Sequence, residues 1–136
     1  MSHALTFAPE EFRQRMALLR KAVNGIPGTE VLEFNWILGV GADRTKNAYV
    51  NDMGRVREAD LMVSILDHPS VGLGLEIHER CRHGGPIYMF YPQGTELNQI
   101  IEDCASEHRL SKPTEYSSDK EIVKAIADWA RANRPA

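Results

Sequence analysis

Two carboxylates, Glu76 and Asp52, have the type and spacing to do chemistry. Glu76 closes the stretch Pro69-Ser70-Val71-Gly72-Leu73-Gly74-Leu75-Glu76, which follows the apolar run Leu61-Met62-Val63-Ser64-Ile65-Leu66. That run lacks polar alternation, so it reads as a strand covered on both faces, as in a parallel sheet. Pro69, Gly72 and Gly74 then break the strand and let the backbone turn tightly before a helix. Ligands in open α/β sheets bind at the carboxyl ends of strands, beside helix N-termini, and Glu76 would stand there. Asp52 follows Tyr49 by three residues and precedes Val56 by four, so helical geometry puts it on an apolar face. A carboxylate facing a core is costly unless paired or poised at a cleft. Asp52 is thus either an edge residue that reaches water or a helix N-terminus, or the partner of Glu76. Two carboxylates converging on one cleft can divide acid and nucleophile roles.

The elements that must position this pair alternate between helix and strand. Pro9 suits a first helical turn, with Glu10 and Glu11 complementing the dipole. Phe12, Met16, Leu19 and Val23 recur at helical spacing, and Asn24-Gly25 closes that helix. Val31 to Trp36 is a β-prone run, followed by a loop containing Gly39, Gly41 and Asp43. A second helix is expected from about Thr45 to Ala59, with Tyr49, Met53 and Val56 as its inner stripe. After the Glu76 helix, which ends near Gly84-Gly85, Ile87 to Tyr91 forms another apolar strand. Leu97, Ile100, Ile101 and Cys104 mark a fourth helix; Ser111 to Ser118 reads as a polar loop with one short strand near Tyr116. Asp119 caps a last helix whose inner face is Ile122, Ile126, Trp129 and Ala130. The order predicts one α/β domain over residues 1–136, a doubly wound, mainly parallel, Rossmann- or flavodoxin-like sheet flanked by helices.

Bulk properties exclude several classes of function. A net charge of -3 gives no reason to expect a nucleic-acid polymer or an anionic membrane as partner. The apolar runs fall far short of the roughly 20 residues a membrane span needs. The first residues lack the basic start and apolar core of a signal peptide. Cys81 and Cys104 have no paired spacing, which favours a reduced, cytoplasmic setting.

Other signals fit structure better than chemistry. Gly72-x-Gly74 is no dinucleotide fingerprint, because Ile77 takes the third glycine's place. His78, Glu79, Cys81 and His83 do not converge on one helix face, so no metal site is expected. Arg44 and Lys46 are loop charges that could meet a phosphate, though loop charges are more often merely solvated. Trp36, Tyr49 and Tyr91 could stack on a base, with core packing as the default. Ser64, inside a strand, reads as structural.

From Asn51 to Asn98 the chain resembles the nucleoside 2-deoxyribosyltransferase superfamily, most closely its 2′-deoxynucleoside 5′-phosphate N-hydrolases. The likeness rests on Ala59-Asp60 before an apolar strand and on the Pro-Ser-x-Gly-x-Gly-x-Glu turn at Pro69 to Glu76. The small residues before Pro86-Ile87-Tyr88-Met89-Phe90-Tyr91-Pro92-Gln93 continue it. The resemblance implies that Glu76 is the nucleophile and Asp52 the helix-borne aspartate, their separation of 24 residues matching the family's without a gap. Ser70 falls where the hydrolases hold a 5′-phosphate, whereas the transferases typically carry an aspartate. Gly72 and Gly74 would help to form that pocket, and Asn98 aligns with a residue that reaches the neighbouring subunit's site in family dimers. The implied activity is cleavage of a deoxynucleoside 5′-monophosphate without a cofactor, in a homodimer that takes a small nucleotide or nucleoside. A transferase, or a non-catalytic nucleotide binder, is the alternative.

Two departures from the family pattern stand out. The hydrolases open with a strand leading into a Gly-Ser-Ile-Arg-Gly type loop. Here a helix starts at Pro9, so Ala4-Leu5-Thr6-Phe7 is at most a stub of that strand. A histidine that some hydrolases carry after the second strand is also missing, with Asn35 as the nearest equivalent.

Overall fold

A computed structural model of the chain describes residues 1–3, 8–32, 47–68, 70–108 and 111–135. Nine elements follow in order: β1 (Ser2–His3), α1 (Glu10–Asn24), α2 (Ala48–Glu58), β2 (Met62–Ile65), α3 (Val71–His83), β3 (Ile87–Pro92), α4 (Gln99–Glu107), β4 (Ser111–Tyr116) and α5 (Asp119–Ala132). The strands form one parallel sheet in the order β1-β2-β3-β4. As far as it is described, β1 pairs Ser2 with Ser64 and His3 with Ile65. The slot beside β2 is therefore occupied at these two residues, just before the expected ones. Residues 4–7 and the predicted run Val31 to Trp36 beyond Leu32 lie outside the described residues, as do Pro69, Arg44 and Lys46.

Successive side chains of a strand point to opposite faces, and the apolar residues divide accordingly. Val63, Ile65, Phe90 and Tyr116 join Phe12, Met16, Leu19 and Val23 of α1 and Ile122 and Ile126 of α5 in one core. Met62, Ile87 and Met89 join Val56 of α2 and Leu73 and Ile77 of α3 in the other, with Ile101 and Cys104 of α4 at its rim. Helices thus cover both faces, as the continuous apolar runs of β2 and β3 require. No helix among the described residues is long and apolar enough to cross a membrane.

The stripe of α1 is buried as its spacing predicts, and so are Ile122 and Ile126 of α5, whereas Trp129 and Ala130 are only half-buried. Gly84, with φ of 89°, closes α3 in the left-handed conformation that glycine adopts without strain. Four expectations are corrected. Tyr49 is 61% exposed, in the first turn of α2, whose buried side begins with Asp52 and Met53. Ile100 faces outward at 76% exposure, leaving Ile101 and Cys104 as the inner side of α4. Ser118, not Asp119, is the N-cap of α5. Ser111 to Tyr116 is a full strand, not a loop, although its sequence is polar and contains Pro113. Gln93 N–H donates to Tyr116 O at 2.8 Å, so alternation turns the main-chain groups of residue 113 away from β3. The missing N–H of Pro113 falls on the outer edge, where a strand tolerates proline.

Candidate active site

α2 leads into β2 and β2 into α3, so both helices run antiparallel to the strand and parallel to each other. Their mutual register is fixed by contacts near their C-terminal ends. Arg80 Nη1 donates to Val56 O at 2.9 Å, and Arg57 Nη1 to Glu79 Oε1 at 2.7 Å. The bond from Arg57 holds the Glu79 carboxyl below its ordinary range. Arg80 is 2% exposed, and its remaining nitrogens donate to Pro86 O and Asp60 O. Gly85 makes room for it: an added Cβ would stand 2.2 Å from Arg80 Cζ.

About one turn toward the N-termini, roughly 6 Å along each axis, α2 carries Asp52 and α3 carries Glu76. Glu76 shares the flank of Glu79, three residues on, which faces α2. Asp52 is 9% exposed, on the same side as buried Met53 and Val56, and Glu76 is half-buried. The expected placement of Asp52 on an apolar face holds although Tyr49 points elsewhere.

Ser70 caps α3, its Oγ accepting Leu73 N–H at 3.3 Å. Gly74 N–H donates to Ser70 O at 3.1 Å. A helix N-terminus of this kind presents its first amides, here those of Val71 and Gly72, to an anion. Gly72 and Gly74 do not form the turn, contrary to expectation. Both lie within α3 with no positive φ, and an added Cβ would meet nothing closer than Ser70 Oγ at 3.6 Å. What they contribute is a bare helical first turn. Asn98 accepts Ile100 N–H at 2.9 Å as the cap of α4, at the same end of the sheet but on a separate helix. Asn35 lies outside the described residues.

The same end of the sheet carries a network that sequence reading missed. Arg15 donates through Nη1 to Asp67 Oδ2 (2.7 Å), through Nε and Nη2 to Asp119 (2.6–3.1 Å), and through Nη2 to Tyr116 Oη (2.6 Å). Tyr116 in turn donates to Asp67. Asp119 above all, then Tyr116 and Asp67, raise the pKa of Arg15 against the opposing effect of burial. Burial, followed by the bond to Asp67, pushes Tyr116 up. These residues, with Pro92 and Gln93, line a shallow concavity of about 480 Å³. The one clue in the sequence is the placement of Asp67 directly after a buried strand. A larger cavity of about 750 Å³ lies at the opposite end of the sheet, between the ends of α2 and α5. None of the predicted site residues lines it, and helix N-termini do not point there.

No protein-family model and no curated protein matches the sequence. Among solved structures, the Clostridium botulinum CMP N-glycosidase BcmB superimposes with a TM-score of 0.60 at 19% identity, over 88% of this chain and 94% of that one. The chain shares the fold of a CMP N-glycosidase. A conserved protein from Enterococcus faecalis V583 matches at a TM-score of 0.59 and 15% identity, over 95% of this chain and 99% of that one. The doubly wound α/β architecture expected from the sequence is thus the observed one. The resemblance read from residues 51–98 is met by the fold of a nucleotide N-glycosidase.

Proposed function

We propose that this protein is an N-glycosidase that cleaves a 2′-deoxynucleoside 5′-monophosphate to free base and deoxyribose 5-phosphate. The observation that carries the reading is the Ser70-capped start of α3, the helix of Glu76, packed beside α2 with its buried Asp52. The fold shared with a CMP N-glycosidase and the Pro69 to Glu76 motif support it independently. A Glu76 carboxylate oxygen attacks C1′ through an oxocarbenium-like state, and the C1′–N bond breaks with its electron pair passing to the base. Asp52 assists protonation or orientation of the departing base. Water then attacks the glycosyl ester, releasing the sugar and restoring the Glu76 carboxylate. Ser70 and the amides of Val71 and Gly72 hold the 5′-phosphate, and Asn35 takes part in substrate binding.

The working form in this reading is a cytoplasmic homodimer. Tyr49, Val50, Val71, Leu75 and Ile100 expose apolar surface on the first turns of α2, α3 and α4, beside the candidate site. A second copy covering them would bring its Asn98 to the neighbouring site.

A panel of deoxy- and ribonucleoside monophosphates, CMP included, and of free nucleosides, followed for base release by chromatography, tests the reading. Release from a 2′-deoxynucleoside monophosphate, abolished in Glu76→Ala, is the expected result. No release from any member overturns it. Thermal stabilisation without release assigns the alternative, a non-catalytic nucleotide binder. Exchange onto an added second base assigns a transferase.

A further inference from the structure

The two cysteines, 23 residues apart in sequence, meet in space. Cys104 Sγ lies 3.1 Å from Cys81 Sγ, across the contact between α4 and α3. Their sequence spacing gave no sign of this meeting. The pairing follows from topology, since α3 and α4 flank β3 on the same face of the sheet and both sulfurs sit at the rim of one apolar cluster. A second contact fixes the same register. His108 Nε2 lies 3.0 Å from Gly85 O, and each of these residues is four positions beyond its cysteine. The sulfurs are thus opposed at one level of a helix pair that is held again at the next. Neither cysteine is in a disulfide and both are half-buried, so neither sulfur is sealed inside the core.

We propose that Cys81 and Cys104 form a built site for a reversible intramolecular disulfide, with a small-molecule disulfide as the co-reactant. One cysteine thiolate attacks a sulfur of the small disulfide, forming a mixed disulfide and expelling one small thiolate. The second cysteine thiolate attacks the protein sulfur of that mixed bond, forming the Cys81–Cys104 link and expelling the other small thiolate. Two protein thiols lose their hydrogens as protons, and the small disulfide is reduced to two thiols. Because the sulfurs already touch, the second step is intramolecular and outruns a second addition. Closing the remaining gap to a disulfide length of about 2.05 Å requires a shift of only about 1 Å. The link would pin α3, which carries Glu76, to α4, which carries Asn98.

Incubation of the full chain with oxidised glutathione, read by intact mass under non-reducing conditions, tests the proposal. The wild type should lose two hydrogens, lose both alkylatable thiols and yield a crosslinked Cys81–Cys104 peptide, with its helical circular dichroism unchanged. Cys81→Ser and Cys104→Ser should each stop at a single stable glutathione adduct on the remaining cysteine. A wild type that accumulates two adducts, that stays unreacted while folded, or that crosslinks only with loss of helix overturns the site. Turnover plays no part in these readouts, so the result is independent of the N-glycosidase reading.

Discussion

The two sides of the sheet use their charged groups to different effect. On the α1 and α5 side, Asp67 and Asp119 converge on Arg15, with Tyr116 closing the network. On the α2 and α3 side, the basic groups join one helix to the other. Arg57 is held by Glu79, and Arg80 gives its donors to three main-chain carbonyls. The first arrangement ties α1, the segment after β2 and the start of α5 into one frame. The second ties α2 to α3, the helix that carries Glu76, the proposed nucleophile. The difference is that on one side an arginine gathers carboxylates from separate segments, while on the other the arginines lock two helices in register, largely through main-chain carbonyls.

If the comparison is right, the two sides respond differently to substitution. Glu76→Gln should lower base release by at least about a thousandfold, equivalent to about 4 kcal/mol of transition-state stabilisation. Urea denaturation of the same variant should show a stability within about 1 kcal/mol of wild type. A large loss of stability there would make Glu76 structural and erase the contrast. Arg15→Ala should do the reverse, costing about 2–3 kcal/mol in urea melts, because it leaves two part-buried carboxylates without their cation. A loss below about 0.5 kcal/mol would mean the network is not an anchor.

Gly85→Ala should cost about 1–2 kcal/mol by the same measurement, since the new methyl displaces the Arg80 guanidinium and strands buried carbonyls. Arg80→Met in the same background should remove most of the difference. The smallest effect concerns Glu79. Its folded pKa is lowered by Arg57, so its contribution is present above the unfolded carboxylate value near about 4.3 and is lost as pH falls through the folded value. Stability measured against pH should therefore fall more steeply on the acid side for wild type than for Glu79→Gln. Coincident acid limbs would remove the Arg57–Glu79 pair from the account.

What the sequence made legible was local. The period of Phe12, Met16, Leu19 and Val23 marked α1, the uninterrupted Leu61 to Leu66 run marked a strand buried on both faces, and Gly84 marked the end of α3. Glu76 and Asp52 were singled out because a turn motif and a misfit on an apolar stripe are both visible within a few residues. What escaped depends on tertiary neighbours. β4 is an edge strand with little apolar character, so no alternation announces it. Tyr49 lies on the stripe by spacing alone, and the structure ends the packed part of α2 one turn later. Arg15 meets partners 52 to 104 positions away, and Cys81 meets Cys104 only because a strand intervenes between their helices. No local pattern encodes such meetings.

The proline in β4 has a consequence for assembly. With no amide hydrogen at residue 113 on the outward side, that margin cannot zip onto the backbone of another molecule along its length. Growth of the sheet from copy to copy is discouraged along this margin.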